Sequence, residues 1–214
     1  MYNNIKVIRM IGFYDYTVIL TYMSFVSGMM GIILAFNGKI LPAVFCLMFS
    51  GLCDMFDGRV ARTKKKRTVE ERHFGIQLDS LADLVCFGVL PAVIGYSLGL
   101  KSIYFLPFLL LFPLAGLIRL AYFNVLEIVR NSTSPVKEYT GLPITSSALI
   151  FPVLFIFQEL AGDYFTLIYG ATMLVVGVLF ISKIKIKKPT LKTMIGFIVF
   201  GFALLLLILM RRFM

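Results

Sequence analysis

The sequence predicts an all-α, polytopic helical membrane protein, and three observations carry that reading. Of its 214 residues 59% are hydrophobic, and the mean hydropathy is +0.92, well beyond a soluble domain, in which about half the residues are apolar. Seven apolar segments recur along the chain, each near the roughly 20 residues that a helix needs to cross the hydrocarbon. The charged residues collect in short stretches between them, as loops at the two membrane faces do.

Residues 1–13 read as an N-terminal interfacial helix. Ile5, Ile8 and Ile11 recur at helical spacing, and Lys6 and Arg9 suit headgroups. No short apolar core leads there to a small-residue cleavage site, so a signal peptide is not expected. The apolar segments fall near 17–36, 40–60, 74–100, 102–128, 142–159, 164–182 and 191–210. Residues 14–182 form the transmembrane core, and 183–214 a basic loop with a C-terminal segment. Pro42 opens the second segment, Pro107 and Pro113 bend the fourth, and Pro91 bends the third.

The formal net charge is +10. The basic residues sit in short loops without an aromatic-interleaved platform, which excludes a nucleic-acid surface. With the N-terminus inside, the cytoplasmic stretches hold Lys6, Arg9, Lys64, Lys65, Lys66, Arg67, Arg72, Arg130, Lys137 and the lysines at 183, 185, 187, 188 and 192. Only Lys39, Lys101, Arg211 and Arg212 fall on the other side. That asymmetry predicts the orientation in the cell membrane, and the dense lysine cluster after 182 serves the same signal or meets anionic lipid. Cys46, Cys53 and Cys86 lie in apolar runs without zinc or disulfide spacing. His73 falls in a charged loop and reads as solvated surface.

Residues 54–83 break the apolar pattern with four aspartates. On helices Asp54 and Asp57 lie about 60° apart and Asp79 and Asp83 about 40° apart, so each pair makes one stripe. Gly58, Ala61 and Gly75 share those stripes and leave space beside them. At the hydrocarbon centre each aspartate costs roughly 2.5–3.5 kcal/mol, and four in adjacent spans about 10 kcal/mol. Arg59 and Arg62 cannot neutralise four acids. Hard carboxylate oxygens suit Mg²⁺ or Mn²⁺, and two such ions would neutralise a pyrophosphate. The orientation puts this site at the cytoplasmic interface.

The run Asp54-x2-Asp57-Gly58-x2-Ala61-Arg62, followed by Gly75-x3-Asp79-x3-Asp83, resembles the signature of the CDP-alcohol phosphotransferases. Twelve residues, 63–74, separate its two halves, a longer spacer than the family usually has. The resemblance implies six core transmembrane helices, which leaves one further C-terminal span, and a homodimer. It also implies a site for two divalent cations held by Asp54, Asp57, Asp79 and Asp83, with Asp83 as the general base. Gly58, Ala61, Gly75 and Arg62 would meet the nucleotide and its phosphates. In the first segment Thr21 and Gly28 match a family pattern whose preceding Pro-Asn is here Thr17-Val18, and Thr21 is either a nucleotide contact or a packing residue.

LDSLADLVCFGVLPA after Gly75, IRLAYFN at 118–124 and GLPIT at 141–145 look like the phosphatidylserine synthase branch, with Tyr122 where that branch has a second arginine. The expected substrates are then CDP-diacylglycerol or CDP-archaeol and L-serine. Arg119, the one cation of the fourth segment, would bind the serine carboxylate or else pair with an aspartate of the stripe. Gly141, Pro143, Thr145 and Ser146 cap the fifth segment at its cytoplasmic side, where the helix N-terminus either binds an anion or is simply capped. Glycerol 3-phosphate or inositol phosphate as the acceptor is the alternative within the class. A divalent-cation transporter is the alternative outside it, disfavoured because the acids lie on one helix pair without a repeat.

Overall fold

The computed structural model describes residues 11–129 and 138–187, with 196, 199–203, 206 and 210. The interfacial helix expected over 1–13 lies almost wholly outside them. So does most of the C-terminal span expected over 191–210, whose described residues are helical.

Among the described residues five helices are long and apolar enough to cross a membrane: α1 (Tyr16–Phe36), α2 (Ile40–Thr63), α3 (Val69–Ser97), α4 (Ile103–Ile128) and α6 (Gln158–Ile181). Between the last two stands α5 (Ile144–Ile156), apolar but shorter. A full-length fifth span was expected over 142–159. At about 1.5 Å per residue α5 covers only about two thirds of a 30 Å hydrocarbon layer. It stops at Phe157, and Gly162, at φ 50°, breaks the start of α6. The outer faces carry Val26, Ile33, Leu110, Val125 and Val175, all exposed, as lipid-facing positions must be.

Each helix end has a local cause. Asp15 caps α1 by accepting from the Thr17 N–H at 2.8 Å. Gly38, at φ 73°, turns the chain between α1 and α2 in the left-handed conformation that glycine adopts without strain. Thr68 and Glu71 form a reciprocal capping box that starts α3 at Val69, five residues before the apolar run begins. Pro113 is accommodated inside α4.

Helix α3 changes its hydrogen-bonding pattern midway along its length. It is α-helical to Asp83, π-helical over Leu84–Val89, and α-helical again from Leu90. The Leu90 N–H donates to the Val85 carbonyl, five residues back. Pro91 follows at once and has no N–H to donate, so the bend expected at that proline takes the form of a wider turn just beyond the last aspartate.

Small and hydroxyl side chains join α1 to α2. Ser24 Oγ donates to the Ser50 carbonyl at 3.3 Å, Ser50 Oγ to the Ser24 carbonyl at 2.9 Å, and Ser27 Oγ to the Cys46 carbonyl at 3.0 Å. The core below is apolar, with Phe87, Leu90, Phe112, Phe151, Tyr169 and Phe180 almost wholly buried. The Tyr169 hydroxyl donates to the Pro91 carbonyl at 3.0 Å. The stretches expected as plain loops near 129–141 and 183–190 contain a small antiparallel ribbon, β1 (Glu138–Thr140) with β2 (Lys185–Lys187), whose backbone register pairs Tyr139 with Ile186.

Candidate active site

Helices α2 and α3 bring the two acidic stripes face to face. One carboxylate oxygen from each of Asp54, Asp57 and Asp79 lies within 4.8 Å of the others. Asp83, one turn beyond Asp79 and 8% exposed, comes within hydrogen-bonding reach of Asp54. Three ionised carboxylates this close repel one another, and a cation among them would relieve that repulsion. The donor set is all carboxylate oxygen, which fits a hard divalent ion and not a soft one.

Helix α1 also enters the site. Thr21 Oγ1 donates to Asp57 Oδ2 at 3.2 Å, and both residues are buried. That bond occupies one carboxylate oxygen and orients the other. The thiol beside the acids does not join them: Cys86 Sγ donates to the Ser24 carbonyl at 3.3 Å.

The small residues behave differently from one another. A Cβ on Gly58 would have nothing within 4 Å, so the space beside Asp54 and Asp57 is open. A Cβ on Gly75 would lie 2.9 Å from Arg67 Nη2, so that position is covered by an arginine from the charged loop. Ala61 is half-buried, and Arg62 is exposed at the end of α2. A network at this end joins three helices: Lys64 Nζ donates to Asp15 Oδ2 at 2.8 Å and to Glu71 Oε2 at 2.9 Å. The bonds from Lys64 and Thr17 hold the Asp15 carboxyl down at about 2, and Asp15 and Glu71 hold the Lys64 ammonium up. The stretch before residue 74 was expected as a charged loop, whereas it holds the capping box and the first turn of α3. The reach of Lys64 back to Asp15 was not legible either, because those residues are 49 positions apart.

The expected acceptor pocket is arranged around backbone carbonyls. Arg119 is 7% exposed, and its Nη1 donates to the carbonyls of Thr140 at 2.9 Å and Phe180 at 3.2 Å. Its guanidinium stacks 4.6 Å from the Phe123 ring centroid. Gly141 is buried at φ 73°, and a Cβ there would lie 2.8 Å from both Arg119 Nη1 and the Phe180 carbonyl. Arg119 thus ties α4 to the end of β1 and to the end of α6. Thr145 stands half-buried in the first turn of α5. Ser80, Asn124 and Gln77 form a polar chain between α3 and α4, with bonds of 2.7 and 3.3 Å, that sequence reasoning missed. Ser80 and Asn124 fall within the family-like stretches after Gly75 and at 118–124, but their pairing across 44 positions left no local signal.

Residues 16–182 match the CDP-alcohol phosphatidyltransferase family. The chain belongs to that family. It is a multi-pass membrane transferase of a divalent-metal-dependent class, and the cluster of Asp54, Asp57 and Asp79 is the place that such a metal fits. Among its relatives is the archaetidylserine synthase of Methanothermobacter thermautotrophicus, 34% identical over 86% of this chain and 73% of that protein. A CDP-diacylglycerol–serine O-phosphatidyltransferase of Methanocaldococcus jannaschii is 36% identical over 75% of this chain and 71% of its own length. The protein of that name from Saccharomyces cerevisiae is 43% identical, over 47% of this chain and 37% of its own length.

Proposed function

We propose that this CDP-alcohol phosphatidyltransferase joins L-serine to the lipid phosphate of CDP-diacylglycerol or CDP-archaeol and releases CMP. The convergence of carboxylates from α2 and α3 carries the reading, and the names of the relatives support the acceptor. Asp54, Asp57, Asp79 and Asp83 are the proposed ligands of two divalent cations, Mg²⁺ or Mn²⁺. Such ions, when bound, neutralise the diphosphate and polarise its phosphorus.

The chain's own residues supply the rest. Thr21 holds Asp57 in position. Asp83 takes the proton of the serine hydroxyl as that oxygen bonds to the lipid-side phosphorus. The bond from this phosphorus to the bridging oxygen breaks, and CMP leaves with the electron pair. Gly58 and Ala61 give the nucleotide access to the backbone of α2, with Arg62 towards a phosphate. Arg119, with Gly141 and Thr145 beside it, meets the serine carboxylate.

The site opens to the cytoplasm in the cell membrane, as the distribution of lysine and arginine supports, and the active form is a homodimer. Purified protein supplied with a CDP-lipid and each acceptor in turn tests the reading. Serine should release CMP. Release with glycerol 3-phosphate or inositol phosphate but not with serine would overturn the acceptor, and metal flux into liposomes without CMP would overturn the transferase.

A further inference from the structure

The connection between α2 and α3 is pinned on both sides of Arg67. Lys64 is held by Asp15 and Glu71, and Thr68 by its capping box with Glu71. The main chain of Arg67 is therefore positioned before any ligand arrives. Its side chain turns back along α3, where Nη2 donates to the Glu71 carbonyl at 3.3 Å. The same nitrogen lies where a side chain on Gly75 would stand, one helical turn before Asp79. The guanidinium thus covers the near end of the Asp79–Asp83 stripe.

Two observations mark this arginine as waiting for an anion. Its Nε is buried without a hydrogen-bond partner among the described residues, a condition that native structures rarely tolerate. Among those residues it also has no ion pair, although Lys64 and Arg72 beside it both do. A guanidinium presents a planar fork of donors that matches the paired oxygens of a phosphate or carboxylate. Arg67 lies outside the signature residues, in the spacer between Arg62 and Gly75.

We propose that Arg67 is a substrate-binding residue that grips an oxyanion entering the site, either the diphosphate of the CDP-lipid or the carboxylate of the acceptor. Gly75 is part of the device, because the absence of its side chain gives the guanidinium its place. The assignment rests on the transferase reading above and goes beyond it by adding a residue from the loop.

The test uses the full chain in lipid nanodiscs, with R67A, R67Q and G75A beside wild type, and K66A as an exposed control on the same loop. CMP release gives kcat and the KM for each substrate separately, and calorimetry gives Mg²⁺-dependent binding of CDP. R67A should raise one KM roughly ten- to hundredfold with kcat changed much less. G75A should move in the same direction, and K66A should match wild type. A rise for the CDP-lipid with weakened CDP binding assigns the diphosphate, and a rise for serine with CDP binding intact assigns the carboxylate. Unchanged KM values for both, or a loss in kcat alone, overturn the proposal. R67Q, which keeps the aliphatic stem and a neutral amide donor but loses the charge, is read by the same criteria if R67A does not fold. Wild-type protein that releases no CMP overturns the transferase reading instead. CDP binding then decides on Arg67 separately: weakened in R67A it supports the assignment, unchanged it ends it.

Discussion

Thr21 of α1 donates its hydroxyl hydrogen to Oδ2 of Asp57 on α2 at 3.2 Å, inside the bundle. The acidic site is therefore built by three helices, although its acids come from two. Thr21→Val keeps the shape and removes the donor. It should raise the Mg²⁺ concentration for half-maximal CMP release by about tenfold, with little change in melting temperature. An unchanged metal requirement would reduce Thr21 to a packing residue.

Gly58 separates stability from activity. A methyl group there meets nothing, and alanine favours a helix over glycine by up to about 1 kcal/mol. Gly58→Ala should melt at the same temperature or slightly higher, while CMP release falls by about tenfold or more because the nucleotide needs that space. Full activity would show that the open face is not the nucleotide's.

Asp83 and Asp57 should fail in different ways. Asp83→Asn should lower kcat by about 10²–10⁴ and leave part of the CDP binding, as loss of a proton acceptor does. Asp57→Asn should abolish Mg²⁺-dependent CDP binding itself. Equal loss of binding in both would end the case for a separate base.

The Asp15 carboxyl gives a defined acid limb. Its folded value is about 2, against an ordinary 3.8, because Lys64 and then Thr17 bond the charged form. A depressed carboxyl contributes stability that is complete above about pH 4 and disappears as pH falls through about 2. Asp15→Asn should therefore melt below wild type at pH 6, and the gap should close between pH 4 and pH 2. A gap independent of pH in melting curves would sever Asp15 from that limb.

Much of this site was legible because a helix repeats every 3.6 residues. The spacing of Asp54 with Asp57, and of Asp79 with Asp83, puts each pair on one face wherever those helices lie. The reach of Arg119 was not legible. A burial argument offers any buried arginine a carboxylate partner, whereas this one donates to the carbonyls of Thr140 and Phe180, 21 and 61 positions away. The short α5 was also hidden, since hydropathy counts apolar residues and does not register where the chain turns at Phe157 and Gly162.

Taken alone, then, the sequence determined the apolar lengths and the two acidic stripes, because local periodicity decides such things. Only the tertiary structure decided that the stripes face each other, that Thr21 reaches Asp57, that α3 widens into a π-turn after Asp83, and that Arg67 lies over Gly75. Each of these depends on how separate helices pack or on where a loop side chain comes to rest, and chain distance carries no record of either.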